Sequence, residues 1–147
     1  MLTIPFCPAH LRAVDLGAEE RAEYARFGPA LFGGLAKCEG LALSLADGSG
    51  RILGCLGMQP VGREGVVWAV LSDEARSRPF GLHRAARRHL DRVERLGLAD
   101  RMLTFVRDGH EVGQNWIARL GFTDSGTIKM NDLTYRRYVK WEQQHQR

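Results

Sequence analysis

Cysteine is scarce in this chain. Cys7, Cys38 and Cys55 are the only three in 147 residues, and they stand far apart, with no CxxC pair and no Cys/His spacing. That excludes a disulfide framework and any metal or redox centre legible from spacing, and a reducing cytoplasm is the expected location. No apolar run approaches the roughly 18 residues that cross a bilayer, so no membrane partner is expected. Met1 to Phe6 lacks the basic start and apolar core of a secretory leader. Lysine is almost missing as well, with three against eighteen arginines. Internal repeats, low-complexity tracts and linkers are also lacking, so a single domain is expected over residues 1–147.

What remains has the balance of an ordinary globular protein, at 44% apolar and 26% charged residues. The formal charge is +4 and the pI about 9.3. Arginine offers a planar fork of donors suited to phosphate and other anions. The same bias also arises from a GC-rich genome without any functional cause.

Thr3 to Phe6 reads as a poor or edge strand because Pro5 lies inside it. A helical segment follows from Cys7 to Leu16, with Gly17 placed as its stop. Ala18 to Phe27 predicts a second helix ended by Gly28-Pro29, and Ala30 to Cys38 a third. Leu41 to Ala46 and Arg51 to Gln59 form a hairpin about the turn Asp47-Gly48-Ser49-Gly50. After a loop over Pro60 to Glu64, the unbroken apolar run Val66 to Leu71 suits a strand buried on both faces. The longest helix is expected over Arg78 to Leu96, with Leu82, Ala86, His89, Val93 and Leu96 on one stripe. Arg101 to Val106 reads as a strand and Glu111 to Leu120 as a helix. Thr127 to Trp141 reads as two strands turning at Met130-Asn131-Asp132-Leu133. The order is α/β (α+β), with about six to seven strands in a mixed, mostly antiparallel sheet flanked by helices.

A strand, loop and helix in succession build an anion site, because first-turn N–H groups lack helical partners and the helix dipole adds positive charge. Arg76-Ser77-Arg78-Pro79-Phe80-Gly81 occupies such a passage. Asp73 and Glu74, just before it, are candidate functional carboxylates by chain position; the alternative reading is as solvated loop residues or partners for Arg76 and Arg78. His110, after the Arg101 to Val106 strand, is a further candidate. His89 reads as a buried structural histidine, and His10 and His145 as surface residues.

In this passage the chain resembles the GNAT superfamily of acetyl-coenzyme A-dependent N-acyltransferases, whose pyrophosphate loop reads Gln/Arg-x-x-Gly-x-Gly/Ala. Arg76 and Gly81 match its first and last positions, while Pro79 stands at the first glycine. Proline has no N–H, and losing one charge-assisted hydrogen bond costs about 1.5–3 kcal/mol. The resemblance implies a GNAT fold, acetyl-CoA as cosubstrate, an amine as acceptor, and a base to take the amine's proton, for which Asp73 and Glu74 are the best-placed carboxylates and His110 a further candidate. It also implies a coenzyme site built from Val70, Leu71, Arg76, Ser77, Arg78, Phe80, Gly81, Leu82 and Arg84. A strand bulge near Val70 and Leu71 would splay the sheet there. The stretch Asn115 to Phe122 is similar to the family's Tyr-x-x-x-Gly-Phe: Gly121-Phe122 fits, but Ile117 stands where the proton-donating tyrosine belongs.

Three phrases, Trp68 to Asp73, His83 to Arg88 and Asn115 to Phe122, resemble a bacteriophage branch of the fold, one that includes the small internal virion protein of T7-like phages. Two functions follow as expectations. The first is an N-acetyltransferase-like protein acting on an unidentified amine. The second is a catalytically degenerate GNAT-fold phage protein, partnered by other virion proteins, with a role in virion structure or assembly. Nucleic-acid binding ranks last, because Asp91 and Glu94 dilute the arginine face and no aromatic platform accompanies it.

Overall fold

The computed structural model describes residues 1–28, 30–38 and 40–141. Pro29 and His145, named above, lie outside them. The strands are β1 (Leu2–Pro5), β2 (Ala42–Ala46), β3 (Ile52–Val61), β4 (Glu64–Leu71), β5 (Arg101–Arg107), β6 (Thr123–Met130) and β7 (Leu133–Trp141). The helices are α1 (Ala9–Ala13), α2 (Ala18–Phe27), α3 (Ala30–Leu35), α4 (Asp73–Arg76), α5 (Pro79–Arg95) and α6 (Glu111–Arg119). The strands form one mixed sheet in the order β1-β2-β3-β4-β5-β7-β6. β4 and β5 run parallel, while the β1–β2, β2–β3, β5–β7 and β6–β7 pairs are antiparallel. No described helix is long and apolar enough to cross a membrane.

The chain divides into two compact units, one of Met1–Gln59 with Trp68–Leu90, the other of Pro60–Val67 with Asp91–Arg147. The first is built on β3, whose residues Ile52 to Met58 are all buried. Phe6, Leu11, Val14, Ala46, Ile52, Cys55 and Val70 form its core cluster, with Trp68 and Phe32 packed against it. In the second unit Met102, Leu103, Val106, Leu120, Phe122, Tyr135, Tyr138 and Val139 are buried.

Turn chemistry places the hairpins. Asp47 Oδ1 accepts from the Ser49 hydroxyl at 2.7 Å, the Ser49 N–H at 2.8 Å and the Arg51 N–H at 3.1 Å. These bonds, those from Ser49 first, hold its carboxyl well below the usual carboxylate range. At the β6–β7 turn Asn131 and Asp132 take φ of 48° and 65°, the left-handed pair that a two-residue type I′ hairpin needs.

Four expectations are corrected. The Val66–Leu71 run is central in the sheet, yet Val66 to Ala69 are half-buried and full burial begins only at Val70. The β5 ladder covers Glu64 to Val66, and among the described residues no strand is laddered to the rest of that edge. Leu96 is 53% exposed because α5 has already ended: Gly97 turns the chain at φ 61°. The Gly97 and Leu98 N–H groups then bond back to the Glu94 and Val93 carbonyls, a Schellman closure. His10, expected on the surface, is half-buried with Nδ1 2.7 Å from the Ser44 hydroxyl. The passage after β4 is not an open loop but the short helix α4. Ser72 caps it by accepting the Ala75 N–H at 3.1 Å.

Candidate functional site

Strand alternation decides which β4 groups are offered to a ligand. The Ser72 N–H bonds to the Leu53 carbonyl of β3 at 2.9 Å. The intervening residue, Leu71, therefore directs its N–H and C=O to the opposite edge, as do Ala69 and Val67. Three attachments occupy that edge. The Val67 carbonyl accepts from the Thr104 hydroxyl at 3.0 Å. The Leu71 carbonyl accepts from the Gly17 N–H at 2.8 Å. The Leu71 N–H donates to Glu20 Oε2 at 3.2 Å. Ala69 lies between these attachments, its peptide groups on the unladdered edge.

Glu20 is the functional-looking residue that sequence reasoning missed. It is 8% exposed, and its Oε2 also takes a hydrogen bond from Arg76 at 2.6 Å. Oε1, wedged near the Gly17 Cα, is buried without a hydrogen-bond partner in the structure. The Ala-Glu-Glu-Arg phrase reads as a solvated helix start, and no spacing signal marks its second glutamate as the buried one. Removing one member of a buried ion pair strands the other charge. Glu20→Ala is therefore expected to lower stability by about 2–4 kcal/mol, discounted for the partial exposure of Arg76. Urea unfolding would read this as a lower midpoint at unchanged slope, and an unchanged midpoint would contradict the pairing.

The amides of the passage are partly spent. The Arg76 N–H bonds to Ser72, the Ser77 N–H to Asp73 and Glu74, and the Arg78 N–H to Ala75. Pro79 has none to give, and the Leu82 N–H bonds to the Arg78 carbonyl at 3.0 Å. Phe80 and Gly81 are left as the orphan donors of the α5 first turn. Phe80 is 85% exposed, and a Cβ on Gly81 would come no nearer than 3.6 Å to Met1, so neither position is crowded.

The remaining candidates are placed as follows. Val70, Leu71 and Leu82 are core residues at 4%, 0% and 5% exposure, and Arg84 is exposed on α5. The Ser77 hydroxyl donates to the Glu74 carbonyl at 2.6 Å. Both Glu74 oxygens accept from Arg51 Nη2 at 2.6 Å, with Arg78 at 3.9 Å. Asp73 accepts from the Ala18 N–H at 3.3 Å, capping α2, and stands 4.0 Å from Arg21. Both carboxylates thus have structural partners, Arg78 among those of Glu74. His110 precedes α6, its ring pressed against Gly113. Burial pushes the Cys55 thiol up to about 11 and raises Cys38 too, so neither is a ready nucleophile.

No family model matches the chain, and no curated protein matches it. Solved structures do. A ribosomal-protein-S5-alanine acetyltransferase from Vibrio fischeri superposes with a TM-score of 0.72 at 16% identity, over 96% of this chain and 92% of that one. A ribosomal-protein-S18-alanine N-acetyltransferase from Escherichia coli gives 0.68 at 17% identity, over 96% and 93%. A GNAT-family acetyltransferase from Bacillus anthracis gives 0.71 at 12% identity, over 95% and 93%. At such identities the likeness is one of fold. The chain has the fold of the GNAT acetyltransferases.

Proposed function

We infer that the chain binds an acyl-coenzyme A along the unladdered edge of β4 and transfers its acyl group, acetyl in the first instance, to an amine. The observation that carries this reading is the position of Ala69. It is a strand peptide on an edge to which, among the described residues, no strand is laddered, one short helix ahead of two amides of the α5 first turn that lack helical acceptors. An extended pantetheine arm pairs with such a peptide as a strand would. The Phe80 and Gly81 N–H groups, with Arg78 and Arg84 beside them, are the donors for the diphosphate.

The Ala69 N–H is then the donor to the thioester oxygen, where negative charge grows as the amine attacks. The unprotonated nitrogen bonds to the carbonyl carbon, and the C–S bond breaks. The sulfur leaves as thiolate with the bonding pair, and the proton shed by nitrogen passes to a base or to solvent. Ile117 supplies no acid, so solvent protonation of the thiolate is the expected route. Asp73, Glu74 and His110 remain the candidates to take the amine's proton.

A second reading has its own support. Glu20 already engages the Leu71 N–H, Pro79 removes a phosphate donor, and Ile117 replaces a proton donor. These features suit a catalytically reduced body with a role in virion assembly, whose phage affiliation rests on the sequence phrases alone. Calorimetric titration with acetyl-CoA separates the two. The transferase reading expects saturable heat at one site per chain and free-thiol release when amines are supplied. Absence of heat up to millimolar ligand would leave only the scaffold.

A further inference from the structure

The first unit holds a pocket of about 420 Å³ lined from α1, α2 and α3, within the roughly 300–1,000 Å³ span of small-ligand sites. Leu11, Val14, Leu16, Tyr24, Phe32 and Ala36 make it apolar, and Arg12 is the charged side chain in its lining. The Tyr24 and Phe32 rings close one wall, with centroids 5.4 Å apart and planes tilted by 47°. Arg12 is exposed, and among the described residues no ion pair to it is found. A guanidinium with no counter-ion among the described residues, beside an apolar cavity, suits a ligand with an apolar body and one anionic group.

The pocket adjoins the site described above along the chain. Leu16 lines it, and the next residue, Gly17, is bonded to the Leu71 carbonyl. Tyr24 lies one helical turn beyond Glu20, on the same face of α2. We propose that this pocket receives the body of the acceptor, an amine carried on a one- or two-ring apolar group with one anionic substituent that Arg12 binds. The acceptor role rests on the transferase reading; the anion-selective pocket does not.

The probes are 1-naphthaleneacetate, which has the anion, and 2-(1-naphthyl)ethylamine, which lacks it. Both are titrated calorimetrically without coenzyme A. The acetate is expected to bind saturably and at least tenfold more tightly than the amine. Arg12→Gln should erase that preference. Gly33→Trp should abolish binding of both, because nothing lies within 4 Å of the Gly33 Cβ position and the indole can fill the space. Melting curves check that both variants remain folded. In the presence of acetyl-CoA, 3-(1-naphthyl)alanine should release thiol faster than naphthylethylamine. The proposal is overturned if the acetate fails to bind, shows no preference over the amine, or binds both variants as it binds the parent. Naphthaleneacetate binding by a protein that does not bind acetyl-CoA would overturn the acceptor assignment specifically.

Discussion

Gly81→Asp is expected to lower acetyl-CoA affinity at least a hundredfold while leaving the fold as stable as before or slightly more so. The two effects separate because Gly81 sits in the α5 first turn with open space around it. A Cβ there meets only Met1, at ordinary contact distance. An acidic residue near a helix N-terminus gains about 0.3–1 kcal/mol from the dipole, and replacing glycine inside a helix adds to that. The same carboxylate would stand where a diphosphate must lie and would compete for the Phe80 and Gly81 amides, a like-charge clash worth several kcal/mol. Gly81→Ala, which adds bulk without charge, should bind within a few-fold of the parent. Equal affinity in Gly81→Asp and the parent would place the diphosphate elsewhere.

Gly57→Val is expected to produce a large loss of stability. A Cβ at Gly57 would lie 2.4 Å from Trp68 Cζ2 and 2.7 Å from the Ala42 Cβ. Ala42 is on β2, where its Cβ cannot retreat without its backbone, and Trp68 is on β4, so the valine is squeezed from two strands at once. Overpacking costs typically about 1–3 kcal/mol, and the upper end applies here. The melting temperature should fall by roughly 10 °C for a chain of this size. Trp68→Leu should recover part of that loss in the double variant, a coupling that independent sites would not show. A neutral Gly57→Val would mean that the indole does not rest on the glycine.

The legible parts of the fold were those written in local chemistry. The turn residues Asn131 and Asp132 tolerate positive φ, Gly97 punctuates the end of α5, and the 3.6-residue stripe of α5 holds from Leu82 to Val93. The boundaries of α2 could be read from Gly17 and Gly28. The failures share a cause: tertiary partners that no local pattern encodes. Leu96 follows the stripe but falls beyond the Schellman closure. His10 carries no mark of its bond to Ser44. Val66 to Ala69 look doubly buried because apolar content does not reveal where a neighbouring strand stops. At the site, the helix start with Phe80 and Gly81 was visible in sequence. The engagement of Leu71 by Gly17 and Glu20 was not, since those residues lie more than fifty positions upstream.

Acyl transfer by this chain requires that the Ala69 peptide and the first turn of α5 together receive an acyl-coenzyme A. Amide resonances in a ¹⁵N-labelled sample titrated with acetyl-CoA report on those groups one by one. The Ala69, Phe80 and Gly81 amides should shift together and saturate at a single ligand concentration, with Leu71 little changed while Glu20 holds its N–H. Saturating shifts confined to other residues, with Ala69 and Gly81 unmoved, would contradict the account.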